Sequence, residues 1–197
     1  STADRPTGAD RGSDVQCFTY DGLGRMTQAW TPASSCASAP AQSLLAGSAP
    51  YWQKFSYDER GNRTSEQAWT TTASVARAYT YGSPAGQPDA LTKVTTSGST
   101  SRTDIYGYDA SGNTTARTVG SAAQTLTWDE FGKVATTTAT SKVTRYFYDA
   151  DGNRLARTNP AAAGSSVSAA GATVFVGGAE ITLTPNGRSR VIWRSWA

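Results

Sequence analysis

The chain contains no histidine, and this absence excludes several kinds of active site. A Ser-His-Asp triad, a Cys-His nucleophile pair, a histidine-ligated zinc ion and a histidine general base all need an imidazole. Two cysteines occur, Cys17 and Cys36, which are too few for a four-cysteine metal site or a dense disulfide framework. The composition therefore leaves few routes to catalysis, and we expect no metal and no organic cofactor.

Charged residues are also scarce, at 17% of 197 residues, and the formal net charge is +3. So small a charge gives no reason to expect a nucleic-acid partner. No uninterrupted apolar stretch approaches the roughly 20 residues of a membrane-spanning helix. Hydrophobic residues nevertheless make up 38% of the chain and aromatic residues 10%, which is typical of a folded protein. The length suits one domain or a run of small repeats that share a core.

Tyrosine, aspartate and glycine recur in one turn motif, an aromatic residue followed by Asp-x-x-Gly. The motif has five copies, whose turn residues are Asp21 and Gly24, Asp58 and Gly61, Asp109 and Gly112, Asp129 and Gly132, and Asp149 and Gly152. Each copy has an aromatic residue directly before the Asp and a bulky residue two positions earlier: Phe18 and Tyr20, Phe55 and Tyr57, Tyr106 and Tyr108, Leu126 and Trp128, and Tyr146 and Tyr148. A sixth copy, Tyr79 and Tyr81, lacks the Asp.

Each copy of the turn motif predicts a β-hairpin. Side chains two residues apart lie on the same face of a strand, so both bulky residues of a copy face one side. Asp favours the first position of a type I turn, and the Gly three residues later supplies a positive φ. An isolated hairpin is marginal in water, so the hairpins must pair to bury their aromatic rows. The predicted fold is all-β: consecutive antiparallel hairpins in a continuous, twisted sheet.

The pattern divides the chain into four parts. We expect a flexible segment at 1–14, hairpins at 15–158 with a surface excursion at 31–50, a Gly/Ala/Ser-rich link at 159–172, and a further meander at 173–197. The excursion favours one turn of helix over 41–45. Both ends suggest a cut through a longer polypeptide, and such open sheet edges favour self-association.

The two cysteines allow two interpretations. A disulfide between Cys17 and Cys36 would tether the excursion and stabilise the fold by roughly 3 kcal/mol on the chain-entropy estimate. It would also indicate an oxidising compartment. The alternative is a pair of free thiols, although no histidine is present to activate them.

Residues 57–63 read YDERGNR and residues 146–155 read YFYDADGNRL. These segments resemble the YD repeat of the Rhs family, which is related to the B and C components of insecticidal toxin complexes and to teneurins. The resemblance runs from about Val15 to Leu155 and continues more weakly to Leu183. Residues 17–21 and 49–52 also resemble large secreted bacterial Rhs proteins.

The resemblance implies a scaffold without chemistry. Rhs repeats form a long β-sheet that winds into a hollow shell, which in bacterial members encloses a C-terminal toxin. The expected partners are therefore the rest of the parent polypeptide and its toxin, and the expected location is secreted or at the bacterial cell surface. The Pro-Gly-Gln-Tyr-type signature of the self-cleaving element of the family does not occur in this sequence, so neither self-cleavage nor toxin activity is implied.

Several other functions stay open at this point. A carbohydrate- or surface-binding module could use exposed Trp30, Trp52 or Trp69. A hydrolase could use the turn carboxylates, and the acidic segment 149–153 superficially resembles a calcium loop, although a structural turn suits it better. The outward face at Phe147 is a further candidate binding surface. The arginines at 188, 190 and 194, near Trp193 and Trp196, could form a subunit contact.

Overall fold

The computed structural model describes residues 2–4, 14–83, 86–177, 179–185 and 189–193. The chain divides into two compact units, Ser1–Asp104 and Ile105–Ala197. Nearly all regular structure in the described residues is antiparallel β-strand, so the all-β prediction is confirmed. None of the described helices is long and apolar enough to cross a membrane.

The first unit is an antiparallel meander in which each of the first six strands pairs with the next along the chain. Its strands are β1 (Thr2–Asp4), β2 (Asp14–Tyr20), β3 (Met26–Trp30), β4 (Trp52–Tyr57), β5 (Arg63–Trp69), β6 (Ser74–Ser83) and β7 (Gln87–Gly98). Strand β8 (Arg102–Tyr108) spans the boundary between the units. The tight turns explain the pairing of β2 with β3, of β4 with β5 and of β5 with β6, because a short turn can join only neighbouring antiparallel strands.

Two features of this unit differ from the expectation. Thr2–Asp4 lies in the segment expected to be flexible, yet it forms β1 and pairs with Asp14–Gln16, while residues 5–13 lie outside the described part of the chain. Strand β7, at 12 residues the longest of the described strands, lies within the predicted hairpin region 15–158, but its bounds were not predicted. It carries no complete turn motif, and its register against β6 is interrupted by bulges at Tyr81.

The buried core of the first unit lies at the strand ends opposite the Asp-x-x-Gly turns. Cys17, Trp30 and Leu45 are its fully buried members, and the rings of Trp52 and Trp69 stack beside them with centroids 4.0 Å apart. Cys17 and Cys36 form a disulfide that draws the excursion over this core. Within the excursion a 3-10 helix spans Gln42–Leu44, inside the segment predicted to form one helical turn.

The second unit is also an antiparallel β-structure. Its elements are β9 (Thr114–Val119), β10 (Ala122–Trp128), β11 (Val134–Ala139), β12 (Lys142–Tyr148), β13 (Arg154–Thr158), β14 (Ala161–Ala162), α1 (Val167–Ala170), β15 (Ala172–Val176), β16 (Ala179–Leu183) and β17 (Ser189–Trp193). Strands β9 to β12 pair consecutively. Strand β12 then pairs with both β13 and β14, and the series continues through β13, β15, β16 and β17.

The segment 159–172, expected to be a link, contains β14 and the short helix α1. Ser166 caps α1 by accepting a hydrogen bond from the backbone N–H of Ala169. Thr158, the fully buried last residue of β13, accepts a hydrogen bond from the backbone N–H of Arg145 at 2.9 Å. Within the expected meander at 173–197, residues 178, 186–188 and 194–197 lie outside the described residues, and these include Arg188, Arg194 and Trp196.

Candidate functional site

The five Asp-x-x-Gly turns share one hydrogen-bond pattern. In each turn the backbone N–H of the Asp donates to the carbonyl of the residue four positions later, and the Gly N–H donates to the Asp carbonyl at 3.0–3.2 Å. The five glycines have φ between +70° and +94°, a left-handed backbone that favours glycine. The register slips by one residue just before the Asp in the four hairpins with a recorded register, which are those at Asp21, Asp58, Asp129 and Asp149.

The aspartate carboxylates hold these turns together. Oδ1 of each Asp accepts the backbone N–H four residues on, at 2.8–2.9 Å. At Asp109 and Asp149, the side-chain amides of Asn113 and Asn153 donate to Oδ2 and hold the pKa below its usual range. The backbone N–H of Arg25 is the largest cause of the lowered pKa of Asp21.

At Asp58 burial acts to raise the pKa of the carboxyl group, but hydrogen bonds from Asn62, Arg60 and Gly61 outweigh it and the pKa is lowered. The turn carboxylates thus have a structural task in the turn itself. Among the described residues, no group of three or more acidic or cysteine side chains is arranged to hold a metal ion.

In four of the six copies, the aromatic residue directly before the turn makes a contact that the sequence analysis missed. Its ring N–H or hydroxyl donates to a backbone carbonyl of the preceding hairpin, and we call this contact the aromatic clamp. The clamps are Tyr57 to Met26 at 2.8 Å, Tyr81 to Arg63 at 2.9 Å, Trp128 to Thr114 at 2.8 Å and Tyr148 to Val134 at 3.1 Å. Each acceptor lies five residues after the turn Asp of its own hairpin. At these four junctions the clamp therefore joins a hairpin to the one before it.

The predicted core aromatic residues lie mainly on a half-buried face. Phe55 is buried, and Phe18, Tyr57, Tyr79, Tyr81, Tyr106, Tyr108, Trp128, Tyr146 and Tyr148 are partly buried. Tyr20 differs from the expectation, because 59% of it is exposed. It belongs to the first copy, and β1 pairs only with the far end of β2, at Asp14–Gln16. The described residues thus offer no preceding turn-motif hairpin onto which the Tyr20 ring can fold.

A buried ionic cluster on β5 and β6 was also missed. Glu66 is 8% exposed, and its carboxylate accepts hydrogen bonds from the Arg77 guanidinium and from the Tyr79 hydroxyl, the latter at 2.8 Å. The Arg63 guanidinium lies 3.5 Å from Glu66 and 4.8 Å from the centroid of the Tyr79 ring. Burial, and then the hydrogen bond to Glu66, raise the pKa of Tyr79 to about 12. This cluster satisfies a buried charge within the sheet.

The tryptophans considered for glycan binding do not form an exposed platform. Trp30 is 5% exposed, and Trp52 and Trp69 stack on each other against the disulfide core. The expectation that these three residues are exposed is therefore wrong. Their rings close the core under the excursion, where a sugar ring could not stack on them without opening it.

The second unit contains a cleft between two successive turns, which we call the turn cleft. It has a volume of about 690 Å³ and is lined by residues of the turns at Asp129 and Asp149 and of the strand between them. Its lining residues are Asp129, Phe131, Lys133, Tyr146, Phe147, Tyr148, Asp149, Ala150, Asp151 and Gly152. Phe131 is 80% exposed and Phe147 is 42% exposed. The turn cleft thus combines aromatic surface with carboxylates.

Residues 128–163 match the protein-family model described as RHS Repeat. Over these residues the chain is similar to the RHS repeat. The matched residues include the turn motifs at Asp129 and Asp149, both partners of the Tyr148 clamp, the donor of the Trp128 clamp and every lining residue of the turn cleft. The resemblance to the Rhs family is therefore confirmed. A search of curated proteins finds no match.

Solved structures similar to this chain include a Photorhabdus luminescens Tc holotoxin pore, at 15% identity and a TM-score of 0.47. The match covers 85% of this chain and 10% of that one. Another is the crystal structure of TcdB2-TccC3-Cdc42, at 12% identity and a TM-score of 0.46. The match covers 89% of this chain and 10% of that one. A third is the crystal structure of TcdB2-TccC3 without its hypervariable C-terminal region, at 13% identity and a TM-score of 0.47. The match covers 89% of this chain and 10% of that one. The chain spans about a tenth of the length of these structures.

Proposed function

We propose that this chain is a non-enzymatic scaffold segment in the wall of a hollow Rhs-type shell. The observation that carries the proposal is the aromatic clamp, which recurs at four junctions between hairpins with the same donor and acceptor positions. A wall needs such a contact, because it must extend by adding hairpins without a separate core for each of them. The RHS-repeat match over residues 128–163 supports the same role.

The state of the carboxylates supports a role without catalysis. A general acid or base must keep its proton-transferring oxygen available to a substrate. Each turn aspartate instead uses Oδ1 to accept backbone N–H groups of its own turn. Changing such a residue would disturb the turn, as expected of a structural position.

The proposed partners are the rest of the parent polypeptide and a toxin enclosed by the shell. Residues of the wall would contact neighbouring repeats through their sheet edges and clamps. The Cys17–Cys36 disulfide supports a secreted or cell-surface location, because disulfides persist in oxidising compartments.

A structure of the parent polypeptide by electron cryomicroscopy would test this proposal. We expect this segment to form part of a closed wall around density for the C-terminal region. Protease treatment gives an independent measurement: the C-terminal region should resist cleavage in the intact parent and become sensitive after mild denaturation. A segment that projects from a compact domain, or a C-terminal region that is cleaved at once, would contradict the wall function.

A further inference from the structure

The turn cleft has a feature that the other turns lack. We propose that it binds an arginine side chain presented by another polypeptide. The inference goes beyond the scaffold function and does not depend on it, because it concerns the local chemistry of one pair of turns. Its support is a comparison among the five copies of the turn motif within this chain.

The comparison begins with the second carboxylate oxygen of each turn aspartate. In four turns a side chain four residues later donates to Oδ2: Arg25 to Asp21 at 2.7 Å, Asn62 to Asp58 at 3.1 Å, Asn113 to Asp109 at 3.0 Å and Asn153 to Asp149 at 3.1 Å. At Asp129 the corresponding residue is Lys133, and no described side chain donates to Asp129 Oδ2. This aspartate lines the turn cleft, so its second oxygen is left for a donor from outside.

The position of Lys133 explains why that oxygen is unpaired. The end of the Lys133 side chain lies against Gly152 of the next turn, where a Cβ added to Gly152 would come within 2.8 Å of Lys133 Cε and Nζ. The lysine thus crosses to the neighbouring turn instead of closing its own. An asparagine is too short to do so, and in the three turns that have one it pairs with its own aspartate.

An exposed aromatic ring lies in the same turn. Phe131 is the second residue after Asp129 and is 80% exposed, whereas the corresponding residues of the other copies are Leu23, Arg60, Ser111 and Asp151. A phenyl ring beside an unpaired carboxylate is the pair of groups that recognises a guanidinium. The plane of the guanidinium stacks on the phenyl ring, and the N–H groups of the guanidinium donate hydrogen bonds to the carboxylate.

Charge favours a cation over a neutral sugar in this cleft. Three carboxylates, at Asp129, Asp149 and Asp151, line it together with one lysine, so its local charge is negative although the whole chain carries +3. A neutral sugar could use the aromatic surface but would leave this charge unused. The volume of about 690 Å³ accommodates an arginine side chain together with its flanking backbone.

Nuclear magnetic resonance titration of the 197-residue chain would test the proposal. The probe is an acetylated and amidated Gly-Arg-Gly-Arg-Gly peptide, and the control is the same peptide with citrulline, which keeps the shape of arginine without its charge. We expect saturable shifts at residues 129–133 and 146–152, and binding that weakens with added salt. The citrulline peptide should bind roughly tenfold more weakly or worse, since it lacks charge-assisted hydrogen bonds.

Two variants and two matched controls sharpen the test. Phe131→Ala and Asp129→Asn should each weaken arginine-peptide binding by about fivefold or more. Asparagine can still accept the backbone hydrogen bonds of the turn, and the spectrum of the free variant would show whether the fold is kept. If Asp129→Asn does not keep the fold, the Phe131→Ala variant alone tests the proposal, because Phe131 is exposed. The controls, Leu23→Ala and Asp109→Asn, change the same positions in other copies and should leave binding unchanged.

Several results would overturn the proposal. They are equal affinity for the arginine and citrulline peptides, shifts confined to residues outside the turn cleft, or no shift up to about 10 mM peptide, the weakest affinity of interest. Shifts at the cleft with maltose, in the absence of any response to the arginine peptide, would assign it to carbohydrate instead. Unchanged binding in Phe131→Ala would also contradict the inferred stacking.

Discussion

Replacing Tyr57 with phenylalanine isolates the contribution of one aromatic clamp. The substitution removes the hydroxyl that donates to the Met26 carbonyl at 2.8 Å and keeps the ring. It also keeps the ring surface on which the Arg25 guanidinium lies, 4.8 Å from the centroid. Any loss of stability therefore reports on the hydrogen bond between two hairpins, not on packing.

The expected loss is about 1–2 kcal/mol, because the change removes one hydrogen bond and leaves a half-buried carbonyl less well satisfied. For a unit of roughly 100 residues this lowers the melting temperature by about 4–8 °C for each kcal/mol. Urea denaturation followed by circular dichroism would give the free energy of unfolding, and a thermal scan would check it.

The chain offers a matched control in Tyr20. It holds the same position in the first copy of the turn motif, but it is 59% exposed and no described residue accepts from its hydroxyl. Tyr20→Phe should change the free energy of unfolding by about 0.5 kcal/mol or less. If Tyr57→Phe were as harmless as Tyr20→Phe, the rings would act by packing alone and the clamp would not join the hairpins.

Three further changes test the turns. Gly61→Ala should lower the free energy of unfolding by about 1–2 kcal/mol through its positive φ alone. Gly98→Ala should lower it further, because the added Cβ would lie 2.4 Å from a backbone oxygen of β6. Equal urea midpoints for the two variants would contradict this order. Thr140 and Ser141 both have positive φ, which Asn-Gly adopts more readily than Thr-Ser. The double change Thr140→Asn and Ser141→Gly should therefore stabilise the β11–β12 hairpin by roughly 1 kcal/mol. An unchanged melting temperature would argue against strain in this turn. The pKa of Asp109 is lowered in the folded state, so its carboxylate stabilises the fold above the unfolded pKa near 3.8, and this stabilisation is lost as the pH falls through the folded pKa. Asp109→Asn should therefore make the urea midpoint depend less on pH in the acid range.

The hairpins could be predicted because their determinants are local. Asp and Gly three residues apart specify a turn through hydrogen bonds and φ values within five residues, so five turns follow from sequence alone. The bounds of strand β7 escaped prediction because it carries no complete turn motif and is specified by its pairing with β6. Glu66 escaped because its partners Arg77 and Tyr79 are brought together only by strand register.

The clamp left a signal in the sequence that was not used. The residue directly before the turn position is tyrosine or tryptophan in every copy, Tyr20, Tyr57, Tyr81, Tyr108, Trp128 and Tyr148, and never phenylalanine. Packing alone would accept phenylalanine, so the constant presence of a hydrogen-bond donor indicated a distant acceptor. The exposure of Tyr20 could not be inferred in the same way, because it depends on which elements precede the first copy.

The clamp does not depend on the side chain of its acceptor residue, and this has a consequence for how the number of units can change. Its acceptors belong to methionine, arginine, threonine and valine residues, but in each case the accepting atom is the main-chain oxygen. A duplicated, deleted or recombined unit would therefore bring its own fastening and need no compensating side-chain change in its new neighbour. We therefore expect that units can be gained or lost without matching side-chain changes, provided that each unit keeps its tyrosine or tryptophan together with the Asp and Gly of its turn.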